Sequence, residues 1–306
     1  MAHLELLFHF CTSTSYSLSS GEASKLLWQT TVVQIALKYD YLMQGLLSIT
    51  SFHLAFLKPA QRDHYISQAL DLHHSALAKG VPALSNITAE NTEAVYMFSM
   101  LTFVFSFARP RGPDDALLGR GSNLGEWLVM FRGLRTVVES LDMSILTAGP
   151  IGPMLLIGSR RTAYHHSVSI QVDHLWTLQR FINESTCDTD ERQTYSKTID
   201  QLRVSYNVVY SPESAECYSI GPPEATDSFV WLYRLSDHFL KLLGEKKQES
   251  LAILAYFCVL LKRHDAVWWV HGWSEHLISQ IHQRLDEEHR LWINWPIREI
   301  GWLPPS

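Results

Sequence analysis

The sequence predicts an all-α fold, a single helical domain of about ten helices over residues 1–306. Apolar residues recur at helical spacing in segment after segment, while the strict alternation of a half-buried strand is absent. An 11-residue apolar run, Leu251–Leu261, is too short to span a bilayer, which takes about 20 residues, and fits a fully buried core helix. No repeat of fixed period appears, and nothing in the composition argues for dividing the chain.

In chain order, Leu4, Leu7, Phe8 and Cys11 predict a short first helix, ended by the Thr/Ser-rich run from Thr12 to Ser20. Leu42, Leu46, Ile49, His53 and Phe56 mark a second, stopped at Lys58-Pro59. Tyr65, Ala69, Leu72 and Ala76 mark a third, closed by Gly80 and Pro82. Asn91 is placed to cap the next, in which Val95, Phe98, Leu101, Thr102 and Phe105 align. That helix is apolar almost all round from Met97 to Ala108, which predicts a central position. Residues 109–126, with two prolines and four glycines, read as a long loop. Trp127 to Leu141 is helical again, and residues 147–158, containing Gly149-Pro150-Ile151-Gly152-Pro153, break the pattern as a hinge or lid.

Beyond Ile170, His174, Leu175, Leu178 and Phe181 share a face, and Tyr195, Ile199, Leu202, Tyr206 and Val209 give a heptad. Two antiparallel helices are expected there. Gly221-Pro222-Pro223 punctuates before one helix bearing Leu232, Leu235, Phe239 and Leu242. The apolar run follows, then a last long helix with Leu277, Ile278, Ile281 and Leu285, and an irregular tail from Trp302.

Hydrophobic residues make up 46% of the chain and charged residues 18%, which describes a folded globular protein. The formal net charge of −6, with no Lys/Arg run longer than two, argues against this chain gripping a phosphate backbone by itself. Cys11, Cys187, Cys217 and Cys258 lie far apart, so neither a zinc knuckle nor a disulfide framework is expected. The start of the chain lacks the features of a signal peptide, and the sequons at Asn86 and Asn183 are read as chance matches. The expectation is a cytoplasmic, or nuclear, protein without a membrane span.

A search for chemistry finds little. His73-His74 and His165-His166 are adjacent pairs whose side chains diverge on a helix, and His-Glu-x-x-His is absent, so no metal site is expected. Gly119-Arg120-Gly121 has no preceding strand and does not make a nucleotide-binding loop. No nucleophile elbow or phosphate loop occurs, no cofactor is implied, and Cys258 reads as an inert core thiol. What stands out is the stretch after the apolar run. Six of the ten tryptophans fall between Trp268 and Trp302. Tryptophan's large apolar body suits either a packed core or the wall of a cavity for an apolar guest, and the residues leave the two open.

The resemblance that fits these residues begins with His3-Leu4-Glu5-Leu6-Leu7-Phe8-His9-Phe10. It continues through Leu42–Ile49 with His53-Leu54-Ala55, Tyr65 with Ala69 and His73, Asn91 with Phe98-Ser99, and Trp127 with Arg132-Gly133. Its most specific part is the apolar helix with Trp268-Trp269, Gly272-Trp273 and Trp295-Pro296. Together these resemble the C-terminal ligand-binding domain of fungal zinc-cluster transcription factors of the sterol uptake control type. The resemblance implies a helical domain enclosing an apolar pocket for ergosterol or a similar lipid, whose occupancy decides between cytosol and nucleus. Carried over by position, Leu251, Ala255, Tyr256, Val259, Trp268, Trp269, Gly272 and Trp273 are the expected ligand-binding residues.

The six closely spaced cysteines of that family's DNA-binding module are not in this sequence. Three readings follow. The chain is a lipid-sensing regulatory domain; or a free-standing descendant whose pocket catalyses a cyclisation or pericyclic step on a terpenoid or polyketide; or a module that sequesters a partner, including as a homodimer. For the enzyme, Tyr256 and His271 are the candidate polar groups, since each lies in the apolar stretch and can donate a hydrogen bond.

Overall fold

The computed structural model describes residues 2–111, 125–167, 173–210 and 224–304. It is all-α, as expected, with no strand among the described residues. The chain divides into two compact units, one of residues 1–111 with 130–160 and one of residues 112–129 with 161–306.

The first unit opens with a helical hairpin. α1 (Ala2–His9) runs on through a π-helical segment, Phe10–Thr14, and one further turn, Ser15–Ser17, where the sequence predicts an end. The hydroxyls explain the difference. Thr12 Oγ1 donates to the Phe8 carbonyl at 2.8 Å and Ser17 Oγ to the Thr14 carbonyl at 2.7 Å, so these side chains turn back on the helix rather than compete with it. The return arm is α2 (Glu22–Leu26), a second π segment (Leu27–Thr31) and α3 (Val32–Ala36), which the apolar spacing did not predict. Its buried positions, Ser24, Trp28, Val32 and Ala36, keep a four-residue spacing, but one is polar and one small. Gln29 Nε2 donates to the Cys11 carbonyl at 2.9 Å and ties the two π segments together.

Behind the hairpin stand α4 (Asp40–Leu57) and α5 (Arg62–Leu84). α4 ends at Lys58-Pro59 as predicted, but α5 does not close at Gly80 and Pro82. Gly80 lies under the Phe98 ring, where a Cβ would come within 2.4 Å of Phe98 Cε1, so the glycine permits close helix approach. Pro82 forfeits one backbone bond in the last turn, which the packed helix absorbs. α6 (Thr92–Ala108) is central, with Val95, Phe98, Leu101 and Phe105 all buried. Asn91 sits at its N-terminus but does not cap it; the side chain accepts from the Thr88 amide at 2.8 Å.

α7 (Glu126–Ser140), α8 (Met143–Ala148) and α9 (Gly152–Ser167) follow. The break expected over 147–158 narrows to the turn between α8 and α9, because Pro153 falls in the first turn of α9, where its missing N–H costs nothing. Ile151 N donates to the Glu93 carboxylate at 3.3 Å across that turn. Most of the loop expected at 109–126 lies outside the described residues.

In the second unit α10 (Asp173–Ser185) packs on α11 (Thr189–Tyr210), whose heptad positions Tyr195, Ile199, Leu202 and Tyr206 are buried. The expected Gly221-Pro222-Pro223 break lies outside the described residues. The single helix expected next is two, α12 (Ala225–Arg234) and α13 (Asp237–Gly244). Leu235 is extended (φ −59°, ψ 130°), and Ser236 starts α13 by accepting from Phe239 N at 3.1 Å. Periodicity missed the break because Leu232, Leu235, Phe239 and Leu242 are buried on both sides of it. α14 (Gln248–Arg263) is the apolar run; α15 (Trp273–Arg284), α16 (Glu287–Trp292) and α17 (Asn294–Ile300) complete the unit. Trp302–Pro304 is irregular, as predicted.

Candidate functional site

α14 is the axis of the second unit. Every residue from Ser250 to Leu261 is buried, so the helix is enclosed on all sides, as an all-apolar helix must be in water. Leu251, Ala255 and Val259 belong to this buried set.

The tryptophans that are neighbours in sequence are divided between two sides of that helix. On the side of Tyr256, the Tyr256 ring meets Trp295 at 5.3 Å, and the exposed His174 stacks on the outer side of Trp295 at 4.5 Å. Tyr206 reaches in from α11 and donates its hydroxyl to the Tyr256 carbonyl at 2.7 Å. The Tyr256 hydroxyl in turn donates to the Trp292 carbonyl at 3.2 Å. Burial pushes both phenols well above their ordinary range, so they remain protonated donors.

The next residue, Phe257, points about 100° further round the helix. It stacks on Trp231 at 5.0 Å and approaches Phe229 at 6.2 Å; Phe229 stacks on Trp269 at 5.8 Å. Trp231 Nε1 donates to the Thr198 carbonyl at 3.0 Å, so that buried ring has its polar atom satisfied. Trp273 lies 6.2 Å from Trp127 at the start of α15.

Between α14 and α15 the chain makes a tight turn organised by Asp265. Its carboxylate accepts from the Gly272 amide at 2.8 Å and pairs with Lys262 at 3.3 Å, and Lys262 also meets Glu275 at 2.9 Å. Partial burial alone would raise that carboxyl; the Gly272 amide and the Lys262 ammonium outweigh it and hold the carboxyl below its ordinary value. Gly272 has φ 73°, a left-handed conformation that any side chain would strain, and this accounts for the glycine. Trp268 is half-buried in the turn. His264, at the end of α14, places Nε2 3.0 Å from the buried Ser228 hydroxyl, and burial pushes its imidazole down to about 4.

The two candidate catalytic groups therefore have different surroundings. Tyr256 is buried with its hydroxyl committed to Trp292, whereas His271 is exposed, with Nδ1 3.0 Å from the Asp265 carbonyl oxygen. Cys258 is buried, its Sγ 3.4 Å from the Leu254 carbonyl, and burial raises its thiol so that it stays protonated. Among the described residues no group of three or more His, Cys, Asp or Glu side chains is placed to hold a metal ion, and no helix is long and apolar enough to cross a membrane. A small cavity between α11 and α12, lined by Val204, Ser205, Val208, Asp227 and Val230, has room for about 10 Å³, that of one water.

The sequence reading missed Tyr206, Phe229 and Trp231 as partners of α14. The heptad of α11 carried a signal for Tyr206, since it marked that ring as inward-facing, but nothing in the spacing named its partner.

Residues 5–202 match the family described as the fungal specific transcription factor domain. The chain belongs to this family. It is 24% identical over 321 residues to a Zn(2)-C6 fungal-type transcription factor of Gibberella zeae, a likeness covering 97% of this chain and 61% of that protein. It is also 24% identical over 177 residues to Sterol uptake control protein 2 of Saccharomyces cerevisiae, covering 56% of this chain and 17% of that one. The chain thus spans about three fifths of the length of the first relative and a smaller part of the second. The family match ends within α11, before the helices around α14; the likeness to the Gibberella zeae protein covers nearly the whole chain. Membership bears out the expected fungal transcription-regulator family.

Proposed function

We propose that this chain is the ligand-responsive part of a fungal-type transcription regulator, and that it takes a hydrophobic small molecule, a sterol or terpenoid, against α14. The observation that carries the proposal is its likeness to a protein named for sterol uptake control. The chemistry of α14 supports it. Tyr256, Trp295, Phe257, Trp231 and Trp269 present large apolar faces, and the Tyr256 hydroxyl is a donor suited to a single sterol oxygen.

Because α14 is fully enclosed, a sterol-sized guest takes space now filled by side chains. Binding on the Tyr256 side displaces Trp295 and breaks the Tyr256 bond to Trp292, which loosens α16 and α17. Occupancy thereby selects between two packings of the same helices, and differential affinity for two states is what a regulator requires. The chain acts in the cytoplasm and nucleus and leaves DNA contact to other segments, in keeping with its net charge of −6.

Native mass spectrometry of the purified chain, incubated with ergosterol in mild detergent, tests this directly. One bound sterol per chain is expected, weakened by Tyr256→Phe, which keeps the ring and removes the donor proposed for the sterol oxygen. A chain that stays empty at saturating sterol and terpenoid would sink the proposal.

A further inference from the structure

α16 begins with a capping aspartate. The Asp286 carboxylate accepts from the His289 amide at 2.8 Å, which satisfies one of the free N–H groups of the first turn. Any residue at position 289 would supply that amide. The histidine adds a second bond, because its Nδ1 lies 2.8 Å from the same Asp286 oxygen. Those two bonds, the amide first, hold the Asp286 carboxyl below its ordinary value, so the aspartate is ionised and can only accept. Nδ1 therefore carries the hydrogen, and in the neutral ring Nε2 is left as an acceptor.

That Nε2 is not at the surface. The His289 side chain is only 12% exposed, the nitrogen is buried, and it has no hydrogen-bond partner among the described residues. Buried polar groups are nearly always satisfied, so an orphaned acceptor marks a place where a donor belongs. The neighbours of His289 give that donor its setting. His289 stands one turn before Trp292 on α16, and the two rings lie 4.3 Å apart. Trp292 also stacks on Phe181 of α10, and its carbonyl accepts from the Tyr256 hydroxyl at 3.2 Å. One tryptophan thus borders both the Tyr256 donor and the His289 acceptor.

We propose that His289, positioned by Asp286, accepts a hydrogen bond from the hydroxyl of the bound ligand and makes the site selective for alcohols over ketones. The role depends on a guest docking beside Tyr256 and loosening α16, the function proposed for this chain. An oxygen that accepts from Tyr256 satisfies that donor whether it belongs to an alcohol or to a ketone. Only the alcohol has a hydrogen left to donate, and His289 Nε2 takes it. One donor and one acceptor together fit a hydroxyl, which is both. A ketone in the same place leaves Nε2 without a partner, and a polar site discriminates through such unmade bonds. His289 is the specificity-determining contact, and Asp286 is the group that fixes its tautomer.

Native mass spectrometry of the full 306-residue chain, titrated separately with ergosterol and with its 3-ketone in mild detergent, tests it. The wild type is expected to bind the alcohol about five- to tenfold more tightly. His289→Phe keeps a planar ring against Trp292, and His289→Ala keeps the helix. Each should bind the ketone as the wild type does and lose the preference, and ketone binding reports that the variant is folded at the site. Equal wild-type affinities, a preference that survives either His289 variant, or loss of ketone binding in both variants overturns the assignment, with sterol binding by the wild type still standing. A wild type empty of both ligands overturns it together with the sterol reading.

Discussion

Tyr206 and Tyr256 are joined by a buried hydrogen bond, from the Tyr206 hydroxyl to a carbonyl in the middle of α14, at 2.7 Å. It ties α11 to the core helix through a side chain rather than by apolar contact alone. Tyr206→Phe keeps the ring and removes only the donor, so unfolding in urea should show a loss of about 1 kcal/mol with an unchanged far-UV spectrum. No change in the midpoint would mean that the bond adds nothing to the fold.

Phe257, the next residue of that helix, contacts both Trp231 and Phe229. Phe257→Ala leaves a void that large neighbouring rings fill poorly. The expected loss is about 3–5 kcal/mol, measured by denaturant unfolding.

Gly80→Ala separates propensity from packing. Alanine favours a helix interior over glycine by about 1 kcal/mol, but here its Cβ meets the Phe98 ring at 2.4 Å. The variant should be less stable by about 1–3 kcal/mol, and combining it with Phe98→Leu should recover part of that loss.

At Gly272 the cause is backbone conformation. With φ 73°, Gly272→Ala should cost about 1 kcal/mol in thermal or chemical unfolding. Asp265→Ala should act at the same turn, since it removes the acceptor for the Gly272 amide.

Stability should fall with acid in a defined window. The imidazoles of His53, His73 and His264 are each pushed down to about 4 by burial, from an ordinary value near 6.5. Above pH 6.5 these groups are neutral in both folded and unfolded chains. Between 6.5 and 4 the unfolded chain binds more protons, so unfolding becomes easier as pH drops, by at most about 1.4 kcal/mol per pH unit for each group. His264→Gln should lessen the slope of stability against pH over this window; an unchanged slope would falsify the buried-histidine account.

Much of this fold was legible in the sequence. The spacing of Leu42, Leu46, Ile49 and His53, and of Tyr195, Ile199, Leu202 and Tyr206, located α4 and α11, because a helix that buries one face repeats it every turn. The errors have local causes. Thr12 and Ser17 were read as helix breakers, yet their hydroxyls bond back to the helix; Gly80 was read as a stop, yet it is a point of close approach. The return arm of the hairpin escaped notice because Ser24 and Ala36 occupy half of its buried face.

For the region around α14, the sequence determined that the run from Leu251 to Leu261 is a buried helix, since eleven apolar side chains in water admit little else. It also determined that large aromatic rings would lie close to that helix. Which ring meets which face was decided by the tertiary structure. Tyr256 and Phe257 are adjacent in the chain but turn to different sides, so Trp295 comes to one and Trp231 to the other, from helices far apart in sequence. A helix rotates by about 100° per residue, and contacts made across such a rotation depend on how distant segments dock, which local spacing does not encode.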